Sequence, residues 1–153
     1  PITIEDAVPM AAVLSGQSLY RFTGGEPPSV SELERRYTAQ VRGASPDGRE
    51  EWLNLVVVLE PEGKPIGYVQ ATIPRDEGPA EIAWVIGEPW QGHGHATRAA
   101  QLLIEHLCGL GVTDLIAHIH PAHVASQTVA RRLGMVPTDT VIDGETRWDL
   151  ALP

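Results

Sequence analysis

The chain has 153 residues, 42% hydrophobic and 20% charged, the balance of one folded domain over 1–153 rather than a disordered segment. Twenty acidic residues against eleven Lys and Arg give a formal net charge of −9 with no basic run, which argues against a nucleic-acid binder and is compatible with steering of a cationic substrate. Cys108 stands alone, so no internal disulfide can form; with no signal-type leader and no apolar run of about 18 residues, a cytoplasmic protein without a membrane span is expected.

Residues 4–15 read as a short helix with acids in its first turn, limited by Pro9. Leu19, Tyr20 and Phe22 form an apolar anchor before the Gly24–Pro28 loop. Ser31-Glu32-Leu33-Glu34 has capping-box spacing and predicts a helix to about Val41. After a loop over 43–48, the β-branched run Trp52–Glu60 predicts a buried strand, and Pro65–Ile73 its hairpin partner. A second loop, Pro74–Pro79, leads to an apolar strand ending at Ile86. From about Gly94 to Leu110, Ala96, Ala99, Ala100, Leu103 and Leu107 make a helical stripe suited to packing on a sheet. Leu115–His120 is a strand, His123–Leu133 a helix, and Thr138–Ile142 and Glu145–Leu152 form a hairpin around Asp143-Gly144. Helices interleaved with a mixed sheet place the chain in the α/β or α+β class.

The stretch from Glu81 to Ala100 carries the chemistry. Its strand feeds the turn Gln91-Gly92-His93-Gly94-His95-Ala96, and a helix begins at once. Unpaired N–H groups at the positive end of a helix dipole bind phosphate. The main chain of Gly92 to Ala96, with the Thr97 hydroxyl, is therefore the predicted cradle for a pyrophosphate-bearing cofactor. His93 and His95 are expected to offer it their backbone rather than their rings. A dinucleotide-type fold fits less well, because the motif follows an antiparallel hairpin and lacks the ribose-binding acid.

These residues resemble the GNAT superfamily of N-acetyltransferases, and within it the branch that acetylates ribosomal-protein α-amino groups. The family's Gln/Arg-x-x-Gly-x-Gly/Ala signature is met by Gln91–Ala96. The likeness returns at Pro121-Ala122-His123-Val124-Ala125-Ser126 and at Val129–Met135, and Pro1–Ala7 looks like the end of a first strand entering the first helix. Whether that first strand is truncated at Pro1 stays open. The resemblance implies a mostly antiparallel sheet with a splayed central strand pair and about four helices. It also implies acetyl-CoA as co-substrate, no metal, and an amine-bearing small molecule or peptide N-terminus as acceptor; homodimerisation stays open. Trp84, Val85 and Ile86 would meet the pantetheine arm through their main chain, and the N–H of Val85 or Ile86 would polarise the thioester. His123 replaces the usual Asn, and Ala130 the usual Tyr proton donor.

Several side chains remain as candidates. Glu81 opens the cofactor strand; as a partly buried carboxylate it would deprotonate the substrate ammonium, its other reading being an edge-of-pocket acid that only hydrogen-bonds or caps, and Glu88 and Glu145 are rivals for the base. Ser126, at the family's motif position, would hydrogen-bond the departing sulfur; its other reading is a first-turn residue serving the helix end. His118, His120 and His123 have a spacing that zinc would accept, but no acidic or thiolate ligand sits beside them, so lining of the acceptor cleft is preferred. Trp84 and Trp90 are expected in sheet packing, and Arg98, Arg131 and Arg132 divide between the CoA 3′-phosphate and a solvated helix face. The loops 23–31 and 74–79 are where acceptor choice is expected to lie.

Overall fold

In a computed structural model that describes all 153 residues, the chain folds as one mixed sheet with helices on both faces. The elements are α1 (Ala7–Val13), α2 (Val30–Gln40), β1 (Glu50–Leu59), β2 (Lys64–Pro74), β3 (Ala80–Ile86), α3 (His95–Gly109), β4 (Asp114–Ile119), α4 (Val124–Arg132), β5 (Val136–Ile142) and β6 (Glu145–Ala151). Strand order is β1-β2-β3-β4-β6-β5. Every neighbouring pair is antiparallel except β3 and β4, which are parallel because α3 carries the chain back between them.

Strand alternation sorts the side chains into two layers. Val69, Ala71, Ala80, Ile82, Leu115, Ala117, Ile119 and Trp148 face Ala99, Leu103 and Leu107 of α3 and Ala130 of α4. The periodic stripe seen in the sequence is this contact. Over β1–β3 the opposite face carries Val56, Tyr68 and Val85, which meet Ala7, Met10, Val13, Leu33 and Tyr37 of α1 and α2.

Two details differ from the sequence reading. The first helix is a 3-10 turn over Ile4–Asp6 followed by α1, with Asp6 bonding back to the Thr3 N–H at 2.7 Å. The cap of α2 is Ser29, which accepts from the Glu32 N–H at 3.1 Å, and not Ser31. Pro28 is buried in front of Ser29 and fixes the chain's entry one residue pair earlier than the capping-box spacing suggests.

The feature that makes a site is the junction of β3 and β4. Their register holds only for Ala80 with Leu115 and Glu81 with Ile116. Beyond Glu81 the strands diverge, although β3 continues on β2 and β4 continues on β6. A gap therefore opens at the C-terminal ends of two parallel strands, where the loops to α3 and α4 begin.

Candidate active site

The loop after β3 is built to leave donors free. A 3-10 turn over Glu88–Trp90 lifts the chain off the sheet, and the Gln91 side-chain amide donates to the Ile86 carbonyl at 2.9 Å. That bond ties the loop to the strand end, so Gln91 shapes the turn. Gly92 and Gly94 follow with φ of +79° and +81°, a left-handed geometry in which non-glycine residues are strained. The first main-chain N–H bonded within α3 is that of Arg98, to Gly94 at 3.0 Å. The six N–H groups from Gly92 to Thr97 have no protein partner, and no side chain caps the helix. The Thr97 hydroxyl is also buried without a partner. Burying polar groups unpaired is costly, so the arrangement fits a bound anion.

The strand side of the gap has a defined phase. Gly87 donates to Ile66 at 2.8 Å, and alternation along an antiparallel ladder then gives Tyr68 and Val85 mutual hydrogen bonds. The Val85 N–H is therefore turned toward β2. The main chains of Trp84 and Ile86 face the gap, so of Val85 and Ile86 it is Ile86 that turns its N–H toward it. Side chains divide differently: Trp84 packs toward α3, and Val85 toward α1 with Trp90.

On the face away from α3, Glu81 Oε1 lies 2.8 Å from His118 Nδ1. Since a carboxylate only accepts, the ring donates from Nδ1 when Glu81 is ionised. His118 Nε2 is buried with no partner. The Glu81 carboxylate is 49% exposed, more open than the partly buried acid expected from sequence. This pair joins residues 37 apart in the chain, and only the register of two parallel strands brings them together.

The rival acids are placed otherwise. Glu88 accepts from both the N–H and the hydroxyl of Ser18, and these bonds hold its carboxyl below the usual range. Gly16 permits the approach, because a Cβ there would strike the Glu88 side chain. Glu145 opens β6, so β4 separates it from β3.

The loop after β4 supplies the other wall. His123 stacks on Phe22 with ring centroids 4.7 Å apart, and His120 lies 5.1 Å from the same ring. Burial first, and His120 second, push the His123 pKa down, so this ring is neutral at neutral pH. Its Nε2 is 3.4 Å from Ser126 Oγ in the first turn of α4. His120 Nδ1 accepts from the Ala122 N–H at 3.0 Å. The three histidines thus have separate hydrogen-bond partners. Phe22, read only as an apolar anchor, organises two of them.

Other expectations divide. Arg98, Arg131 and Arg132 are all exposed, and Arg131 lays its guanidinium over the Trp148 ring, 5.3 Å from the centroid. His93 and His95 have rings 6.0 Å apart, tilted against each other. Ala130, where the family often has Tyr, is fully buried in the α3-side core. No helix is long and apolar enough to cross a membrane.

A phosphate cradle and a splayed parallel pair in a six-stranded mixed sheet define an acyl-CoA-binding acyltransferase. The family model of the acetyltransferase (GNAT) domain matches residues 1–136, and the chain belongs to that family. It is an acetyl-CoA-dependent acyltransferase. Among solved structures, an acetyltransferase from Thermus thermophilus is 22% identical with a TM-score of 0.74, covering 99% of this chain and 94% of its own. Ribosomal-protein-S5-alanine acetyltransferase from Vibrio fischeri is 18% identical, TM-score 0.76, with coverage of 98% and 90%. The aminoglycoside acetyltransferase AAC(6')-Ib, in complex with coenzyme A, is 17% identical, TM-score 0.79, with coverage of 98% and 91%. At these identities the likeness speaks for the fold. Comparison with curated proteins finds no significant relative.

Proposed function

We propose that the protein moves an acetyl group from acetyl-CoA to a primary amine by direct attack in a ternary complex. The observation that carries this reading is the gap itself: free donors at one lip, and a half-exposed carboxylate oriented by a histidine on the neighbouring face. The cradle holds the pyrophosphate and extends the pantetheine arm along Trp84 and Ile86. The amine nitrogen attacks the thioester carbonyl carbon, whose oxygen gathers charge opposite the Ile86 N–H. Glu81 receives the ammonium proton, and His118 fixes the carboxylate's direction by donating from Nδ1. The C–S bond breaks, and the Ser126 hydroxyl donates to the departing thiolate, with His123 beside it. Cys108 is exposed late in α3, so no acyl-cysteine is invoked.

The test is thiol release from acetyl-CoA across a panel of amines and peptide N-termini. Glu81→Gln should lower kcat about 10²–10⁴-fold, the usual span for a general base, while acetyl-CoA affinity stays within twofold or so. Unchanged turnover would remove Glu81 from the mechanism. If acetyl-CoA binds but no amine on the panel stimulates thiol release, the protein is a binding module instead.

A further inference from the structure

On the Glu81 face of the sheet, α2 roofs a cavity of about 240 Å³ against β1 and β2. Six hydrogen-bonding side chains line it: Arg36, Tyr37, Gln40, Asn54, Tyr68 and Gln70. None of the six bonds to another protein group through its side chain, and Arg36 forms no ion pair. Arg36 is also the only charged residue in the lining, in a chain of net charge −9. Burial pushes the Tyr37 phenol up to about 12 and raises that of Tyr68 as well, against the opposing pull of Arg36. Both phenols therefore remain donors at neutral pH. A cation, two phenol donors and three amides with no partners of their own suit an anionic group attached to something amide-like. A polycation would place a second positive charge against Arg36.

The cavity is within reach of the reacting amine. Asn54 pairs with Gln70, Gln70 with Ala83, and Thr72 with Glu81, so Gln70 lies one strand over and two residues along from Glu81. Strand spacing makes that about 8 Å, with the Arg36 wall farther on. Extended peptide covers about 3.3–3.6 Å per residue, so two or three residues bridge the distance. We propose that this cavity selects as acceptor a peptide N-terminus bearing a carboxylate two or three residues in, received by Arg36. This rests on the reading of Glu81 as the group that meets the amine.

Binding is measured by calorimetry on the full chain with CoA present, using N-acetyl-Ala-Ala-Glu-amide and N-acetyl-Ala-Ala-Gln-amide. These are product-like, so no turnover is needed. The wild type should bind the acidic peptide about tenfold more tightly, as expected for a charge-assisted bond at a partly exposed site. Arg36→Gln, a change on the exposed side of α2, should bring the two affinities within threefold. Equal affinities in the wild type, no binding of either peptide, or a preference that survives Arg36→Gln would each overturn the proposal. Thiol release with the unacetylated peptides separates the underlying reading: if Glu81→Gln leaves it intact, the base assignment fails, whatever the binding data show about Arg36.

Discussion

Gly94→Ala isolates what the cradle's backbone contributes. At φ +81° a Cβ added to Gly94 meets nothing within 4 Å, so the substitution introduces no clash. What remains is the conformational penalty of holding an L-residue in the left-handed region, about 1–2 kcal/mol. Gly111, just past the far end of α3, supplies the control: its φ is +87°, a Cβ there is also unopposed, and it lies away from the gap. Gly111→Ala should lose about 1–2 kcal/mol of stability, or roughly 2–8 °C in Tm for a chain of this size, and Gly94→Ala should lose less in the ligand-free protein by the amount its loop relaxes. They should part company on ligand binding. If Gly94 must be left-handed to aim the free N–H groups, relaxation of the mutant loop is reversed on binding, and acetyl-CoA Kd rises about 5–30-fold. Gly111→Ala should leave Kd within error. Calorimetric titration and thermal melts on the three proteins decide the matter. Equal shifts in Kd for the two variants, or none for Gly94→Ala, would refute the claim that loop conformation is part of the binding site.

Leu103, 2% exposed at the centre of the α3 contact, should cost about 2–5 kcal/mol on replacement by Ala, read as a shift in urea midpoint at constant slope; a loss below 1 kcal/mol or so would mean that α3 is not seated on the sheet as described. The Glu88–Ser18 contact should show in acid. Because those bonds lower the Glu88 pKa, their stabilisation is present above the ordinary value of 4.5 and fades as pH falls through the lowered folded-state value. Ser18→Ala should therefore melt below the wild type at neutral pH, with the gap closing in acid; a gap that widens in acid would contradict the sign.

What was legible in the sequence was local. Gln91–Ala96 announces itself because a phosphate cradle needs glycines, a preceding strand and a following helix within a few residues, all contiguous in the chain. The helical stripe of α3 and the Asp143-Gly144 turn are readable for the same reason. The Glu81–His118 pair was not, since each residue has a plain reading alone and only a parallel register unites them. Glu88 looked like a candidate base because nothing in its own neighbourhood announces Ser18, 70 residues earlier. Likewise Val85 and Ile86 are equivalent as sequence, and the phase of the β2 ladder, set through Gly87 and Ile66, separates them. The Arg36 cavity depends on a helix and two strands meeting, and no spacing in the chain encodes that.

The divergence of β3 from β4 has one more consequence. Sheets keep their bare edges at the margin, where charges, prolines or covering loops discourage pairing with other chains. Here a bare edge lies in the middle, between two half-sheets whose ladder has only two residue pairs. It is too short to recruit a foreign strand, yet it is well matched to a slender chain of alternating amide groups. A ligand seated there acts as a splint across both halves, so ligand occupancy and cooperativity of unfolding should be linked. At a hundredfold excess over Kd the splint adds about 2.7 kcal/mol to the folded state. Slowed amide exchange should extend beyond the lips of the gap into β4 and β6, which the ligand need not touch.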